Sequence, residues 1–269
     1  MSCPILLVGA GRMGGALLTG WLATGFAPLA VVEPHPSPKV RKLAASGRLR
    51  LYSAASEADG EWRACLVALK PQVLKVRAAE WRPVAESGAL MVSIAAGVSV
   101  ASLRAAWGGV ASIVRAMPNT PGAIGRGISA VYAPRSLKAA DRMLAQALLA
   151  PLGQILWVRQ EALIDSVTAV SGSGPAYVFL LVEVLTYAAE AEGIPRVVAQ
   201  KLARATVSGA GALLDSDTRP AAALRKDVTS AGGTTEAALK ILMGQNGLEA
   251  LIRRAVKAAR KRAEELTRC

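Results

Sequence analysis

Two short stretches of this 269-residue chain carry residue types and spacings that could do chemistry. The first is Gly9-Ala10-Gly11-Arg12-Met13-Gly14, which follows the apolar run Ile5–Val8 and opens a helical stretch. Glycines at this spacing suit a strand-to-helix turn that cradles a pyrophosphate. The first permits the tight turn, the second lets backbone approach the phosphates, and the third lets helix and strand pack closely. N–H groups at the helix start then face the anion, helped by the helix dipole. A ligand-free tight turn has the same pattern. The strand before the loop, the helix after it and its N-terminal place favour a dinucleotide.

Glu33 closes the second apolar run, nineteen residues after Gly14. A carboxylate there can accept hydrogen bonds from both ribose hydroxyls of NAD, and it would repel the extra phosphate of NADP. That reading favours NADH. In the alternative, Pro34-His35-Pro36 turns Glu33 away and lets His35 or Lys39 approach a phosphate. Leu69-Lys70-Pro71 and Ser93–Gly97 stand at the ends of two further strand candidates, where an open α/β sheet lines its cofactor crevice. Ala95, Ala96 and Gly97 are small enough for a flat nicotinamide ring to come near. Met117-Pro118-Asn119-Thr120-Pro121 falls on the same rim. The plain alternatives are an exposed strand-end lysine and a rigid turn.

The second stretch is Asp227–Thr235, in which Ser230, Gly232, Gly233, Thr234 and Thr235 lead into an apolar helix. Glycines and hydroxyls at a helix start present several donors together, enough to hold a small carboxylate. Thr235 or Ser230 could also bond a ring nitrogen. An ordinary N-cap is the competing reading. Ser171-Gly172-Ser173-Gly174-Pro175 is a second small-residue corner, equally suited to tight packing or to substrate contact.

What is missing narrows the chemistry. Carbonyl and alcohol redox reactions usually need a strong acid–base partner. The single histidine, His35, belongs to the adenosine end, and the apolar segment 175–192 has no Lys or Arg. A protonated imine brings its own proton, so orientation and anion binding suffice.

The elements that must position these residues come in two kinds. Apolar runs at Ile5–Val8, Leu29–Glu33, Cys65–Leu69, Leu90–Ile94 and Ser112–Arg115, with later ones at Ile128–Tyr132 and Gln154–Val158, alternate with helical stretches such as Met13–Ala23, Gln72–Ala85 and Ser136–Leu149. That alternation predicts parallel βαβ units. After about Gln160 only long Ala/Leu/Val-rich periodic segments remain, roughly 161–171, 175–192, 196–214, 220–226, 234–244 and 247–266. The predicted boundary is therefore near residue 160: a dinucleotide-binding domain over 1–160 and a helical domain over 161–269. The segment 175–192 is apolar almost all round and must be buried. A helical half this small favours a homodimer interface over a monomeric bundle.

Composition bounds the rest. Hydrophobic residues are 52% and charged residues 19%, values of a packed globular chain. Cys3, Cys65 and Cys269 show neither metal spacing nor a disulfide framework, which points to a reducing cytoplasm. No signal peptide is read at the N-terminus. The run Ala176–Ala189, interrupted by Glu183, falls short of a membrane span of about 20 residues. Much of the excess behind the net charge of +13 sits in the last helix, at Arg253, Arg254, Lys257, Arg260, Lys261 and Arg262, beside Glu264 and Glu265. Without basic-aromatic interleaving it reads as a solvated face rather than a nucleic-acid surface.

The blocks Gly9–Gly14, Ala68–Gln72, Ser93–Gly97, Arg115–Pro121, Asp165–Tyr177 and Asp227–Thr235 occur in the order found in pyrroline-5-carboxylate reductases, and the chain resembles that family over nearly its whole length. The resemblance implies an α/β fold: an N-terminal Rossmann-type parallel-sheet domain followed by an all-α dimerisation domain. It implies reduction of 1-pyrroline-5-carboxylate to L-proline by NADH or NADPH, in a cytoplasmic homodimer that in the family often builds decamers. It also implies an active site where one subunit's cofactor domain meets the other's helices. By position, Ser230–Thr235 would hold the substrate carboxylate, Thr235 the imine nitrogen, and Lys70, Pro71 and Ala95–Gly97 the cofactor. Three features depart from the pattern. Ala231 stands where the family commonly has proline, no asparagine lies near Ala54–Ser56, and Glu33 is not a general feature of the family. Two other readings compete. A β-hydroxyacid dehydrogenase would need a catalytic lysine between Asp165 and Gly193, where there is none. A dinucleotide-sensing dimer would bind the cofactor without consuming it.

Overall fold

The structure, a computed structural model, describes residues 4–109 and 111–268; Cys3 and Cys269 lie outside the described residues. Along the chain run β1 (Ile5–Val8), α1 (Arg12–Ala23), β2 (Leu29–Val32), α2 (Pro38–Ala45), β3 (Arg50–Tyr52), β4 (Ala64–Val67), α3 (Pro71–Arg77), α4 (Arg82–Glu86), β5 (Leu90–Ser93), α5 (Val100–Trp107), β6 (Ser112–Met117), β7 (Gly127–Tyr132), α6 (Ala139–Leu149) and β8 (Gly153–Trp157). They are followed by α7 (Leu163–Val167), α8 (Gly174–Ala191), α9 (Arg196–Ser216), α10 (Ala221–Asp227), α11 (Thr234–Leu242) and α12 (Leu248–Arg268).

The eight strands form one sheet in the order β3-β2-β1-β4-β5-β6-β7-β8. All neighbours are parallel except β6 and β7. The first six strands follow the doubly wound order, whose crevice opens where the order reverses, between β1 and β4. Each face carries its own core, as the two-residue period of a strand requires. Ile5, Leu7, Val31, Leu66 and Val92 pack with Leu17, Trp21 and Leu148. Leu6, Val8, Cys65, Val67 and Met91 pack with Leu74, Trp81, Leu103 and Trp107 on the other side. Two indoles bury fully because their N–H groups find carbonyls: Trp21 Nε1 donates to Leu148 O at 2.8 Å, and Trp107 Nε1 to Ala78 O at 3.0 Å. Burial of this size contributes about 2 kcal/mol or more for each large side chain. Cys65 sits inside this core, and burial pushes its thiol pKa up, away from reactivity.

The contacts divide the chain into two compact units. One holds the residues up to Gly172 together with the end of α12 from Arg260; the other is Ser173–Ala259. In the second, α8 buries little of its apolar surface: Phe179 is 62% exposed, and Leu180, Val184 and Tyr187 are exposed too.

Several local expectations are corrected. β3 escapes the sequence pattern because it is a three-residue edge strand that begins on an exposed arginine. The helix expected over 72–85 is broken. The Pro83 ring cannot sit inside a helix, so the chain passes through a 3-10 turn at Ala78–Trp81 and restarts as α4 with the proline in its first turn. β7 runs antiparallel to β6, because the segment joining them contains a single 3-10 turn and cannot make a parallel crossover. The corner Ser171–Pro175 does not end the helical path: a π-turn over Thr168–Gly172 carries it through. The helical run Leu163–Ala191 is therefore 29 residues long, with a most apolar window of mean hydropathy 1.4 that is only 6% buried. By length and composition it could cross a membrane, contrary to the shorter run read from the sequence.

Candidate active site

The glycine loop follows β1 at the point where the strand order reverses. Its three glycines meet three different surroundings. Gly9 has φ +87°, and a Cβ there would stand 3.0 Å from Ala68 O and 3.2 Å from Leu69 Cδ2. A Cβ on Gly14 would overlap the Gly9 carbonyl oxygen. Among the described residues, a Cβ on Gly11 would meet nothing within 4 Å. The chain needs glycine at Gly9 for the turn and at Gly14 for packing. At Gly11 its own fold makes no such demand, so the open space there is what a pyrophosphate would use. Gly11 is also the N-cap of α1, with no side-chain cap and no acid in the first turn. The backbone around Arg12 and Met13 is thus suited to an anion. These surroundings fit a dinucleotide.

Glu33 stands one residue past β2, half-buried, and faces this loop. Its Oε2 accepts from the Ala10 N–H at 2.8 Å and its Oε1 from the His35 N–H at 3.1 Å. The turn at Pro34-His35-Pro36 therefore does not carry it away. Lys39 reaches α1 instead, donating from Nζ to Thr19 Oγ1 at 2.9 Å. Leu69 lies against Gly9, Lys70 is the exposed N-cap of α3, and Pro71 starts that helix. The loop after β4 thus joins the loop after β1.

The segment after β5 is less open than its small residues suggest. Ala95 is 3% exposed, with its N–H donated to Ser93 Oγ at 3.3 Å. Gly97, at φ +63°, lies under Leu266, and a Cβ on it would come 3.1 Å from both Leu266 Cβ and O. Ala96 is the half-exposed member. On the same rim, Asn119 Oδ1 accepts from the Ile128 N–H at 3.0 Å, which makes Met117–Pro121 a capped turn. Gly172 would place a Cβ 3.0 Å from Met117 Cε, so that corner packs tightly.

In the second unit, Asp227–Thr235 joins α10 to α11. Gly232 takes φ +72°, and Gly233 is the N-cap of α11 without a side-chain cap. The Gly233 N–H donates to Ser230 O at 3.1 Å, and the Gly232 N–H donates to Glu236 Oε2 at 2.7 Å. Ser230 and Thr234 are exposed and Thr235 is half-buried. Among the described residues the Thr235 hydroxyl has no hydrogen-bond partner, so it is available to a ligand.

Sequence reasoning missed one constellation. Arg115, 2% exposed, donates from Nη1 to Glu161 Oε1 at 2.9 Å and from Nη2 to Asp165 Oδ1 at 3.3 Å. The visible signal was a lone arginine inside the apolar run of β6. Its partners were not legible, because they lie in later elements.

Sheet order, glycine loop and an appended helical unit define a dinucleotide-binding protein of the Rossmann class. Comparison narrows this. Residues 161–266 match the family described as pyrroline-5-carboxylate reductase dimerisation, and residues 4–97 match NADP oxidoreductase coenzyme F420-dependent. The pyrroline-5-carboxylate reductase of Pseudomonas aeruginosa is 40% identical over 269 residues, covering 99% of this chain and 98% of that one. A solved pyrroline-5-carboxylate reductase from Coxiella burnetii superposes with TM-score 0.90 at 31% identity, covering 99% of both chains. That of Plasmodium falciparum pyrroline carboxylate reductase, with NADP bound, gives 0.81 at 26% over 98% of both. This chain belongs to the pyrroline-5-carboxylate reductase family, and its helical unit serves self-association.

Proposed function

We propose that this protein reduces 1-pyrroline-5-carboxylate to L-proline with NADH or NADPH. The observation that carries the reading is the open space over Gly11, between two glycines that the fold itself demands, at the reversal point of the sheet. A bound reduced nicotinamide supplies the hydride for the imine carbon, and the C=N π pair settles on the already protonated nitrogen.

The chain's own part is binding and orientation. Residues 1–160 hold the dinucleotide: Gly9, Ala10, Gly11, Arg12, Met13 and Gly14 hold the phosphates, Glu33 the adenosine ribose, and Leu69, Lys70, Pro71, Ala95, Ala96 and Gly97 the side toward the nicotinamide. Residues 161–269 hold the substrate. Thr234 offers donors to its carboxylate, with Ser230 beside it; Gly232 and Gly233, whose N–H groups are held by Glu236 Oε2 and Ser230 O, border it; and the Thr235 hydroxyl accepts from the N–H of the protonated ring nitrogen. No strong acid is needed, because the electrophile arrives protonated; positioning lowers the barrier by several kcal/mol, up to about 7–11 in the best cases. The Thr235 hydroxyl, without a hydrogen-bond partner among the described residues, supports its assignment.

The exposed apolar face of α8 is covered by a second copy rather than by lipid or nucleic acid. Glu183 in the middle of the helix and the dimerisation match over 161–266 support a homodimer, from which a decamer can be built. The basic residues of α12 support a solvated face, since Arg253 pairs with Glu249, Arg260 with Glu264 and Arg262 with Glu265. The cytoplasm is the compartment that this chemistry suits. Steady-state kinetics with both cofactors and with five- and six-membered cyclic imino acids test the reading. Oxidation of cofactor with the five-membered ring supports it, and binding without consumption contradicts it.

A further inference from the structure

We propose that the last turn of α12 is a positioning element for the nicotinamide side of the cofactor site. It acts on the Ala95–Gly97 loop, and the proposal rests on the cofactor reading above. Three ties hold this turn within the first unit. Leu266 lies on Gly97, where nothing larger than hydrogen fits without displacement. Lys75 of α3 donates from Nζ to Leu266 O at 2.9 Å. The Thr267 hydroxyl sits 3.0 Å from Asp165 Oδ1 and 3.0 Å from Ala263 O.

The far side of the same loop is held by the Arg115 group. Glu161 Oε1, paired with Arg115, also accepts the N–H of Val100 at 2.7 Å, which fixes the start of α5 directly after the loop. Asp165 joins the two halves, since it takes both Arg115 and Thr267. The loop is therefore clamped through Arg115 of β6 and Glu161 on one side and by the last turn of α12 on the other. This packing and its φ of +63° both require a glycine at Gly97. A displacement of the loop by about 1 Å is the scale at which hydride geometry suffers.

The test uses the full chain carrying Lys75→Met and Thr267→Val, which removes the two polar ties and leaves Arg115 and the loop intact. Fluorescence titration with NADH and calorimetry with ADP-ribose, which lacks the nicotinamide, give the ratio of their affinities. The variant is expected to bind NADH about tenfold more weakly while ADP-ribose changes by less than about twofold. Lys75→Met with Thr267→Ser, which restores the hydroxyl, is expected to recover part of the loss. An unchanged ratio overturns the proposal, whether both affinities hold or both fall together. If the double variant unfolds, the same ratio is read on the single variant Thr267→Val. Wild-type protein that binds NADH but leaves pyrroline-5-carboxylate unreduced would sink the proposed reaction and leave this ratio still readable.

Discussion

The Glu33 carboxylate and the Ala10 N–H, 23 residues apart, are joined at 2.8 Å, so the end of β2 reports directly on the glycine loop after β1. In the proposed reading a carboxylate there would face the ribose end of a dinucleotide lying on the loop and would disfavour a 2′-phosphate. Replacing Glu33 by Ser is expected to shift the kcat/KM ratio from NADH toward NADPH by about tenfold, or about 1.4 kcal/mol. Kinetics with the two cofactors check this, and an unmoved ratio would remove Glu33 from cofactor selection.

Gly11 and Gly14 make opposite predictions. A methyl on Gly14 collides with the Gly9 carbonyl oxygen, so Gly14→Ala is expected to cost about 2 kcal/mol or more of stability, visible as a fall in Tm. A methyl on Gly11 meets open space, so Gly11→Ala is expected to keep its Tm and raise the dinucleotide Kd by about tenfold. Equal effects of the two substitutions on stability would refute the assignment of roles.

Thr235 is half-buried at the start of α11, with its hydroxyl free among the described residues. Thr235→Ala is expected to lower kcat by about 100-fold, the loss expected when a contact that orients the ring nitrogen is removed. Cofactor affinity should stay within about twofold by fluorescence titration. Thr235→Ser should recover most of the rate. Full turnover in the alanine variant would exclude the hydroxyl from the mechanism.

The outer face of α8 carries Phe179 and Leu180, both exposed in a single chain. Each buries apolar surface worth about 2 kcal/mol when covered. Phe179→Glu with Leu180→Glu is expected to weaken self-association by about a hundredfold or more. Light scattering should then show a lower mass at micromolar protein. An unchanged mass would place the interface elsewhere.

What could be read in advance follows from how local each constraint is. Gly9, Gly11 and Gly14 act within one turn of chain, so their spacing, with the strand before and the helix after, placed the loop, and the fold itself demands glycine at Gly9 and Gly14. β1, β2, β4, β5 and β6 were legible because a sheet covered on both faces needs unbroken apolar runs. β3 was not, since an edge strand needs no such run. The helical path through Ser171–Pro175 was hidden because a π-turn follows from packing, here Gly172 against Met117, and not from propensity. The contact of Leu266 with Gly97 and of Thr267 with Asp165 joins distant parts of the chain, where one sequence carries no signal. Glu236 taking the Gly232 N–H is local, but its geometry decides whether the nest is capped from within.

Hydride transfer to a cyclic C=N bond is the claim on which the rest depends. Wild-type protein incubated with 1-pyrroline-5-carboxylate and reduced cofactor carrying deuterium at both C4 positions measures it directly, by mass spectrometry and NMR of the product. One deuterium is expected on the proline ring carbon bonded to nitrogen and remote from the carboxylate. Product without deuterium, or cofactor that stays reduced, would contradict the account.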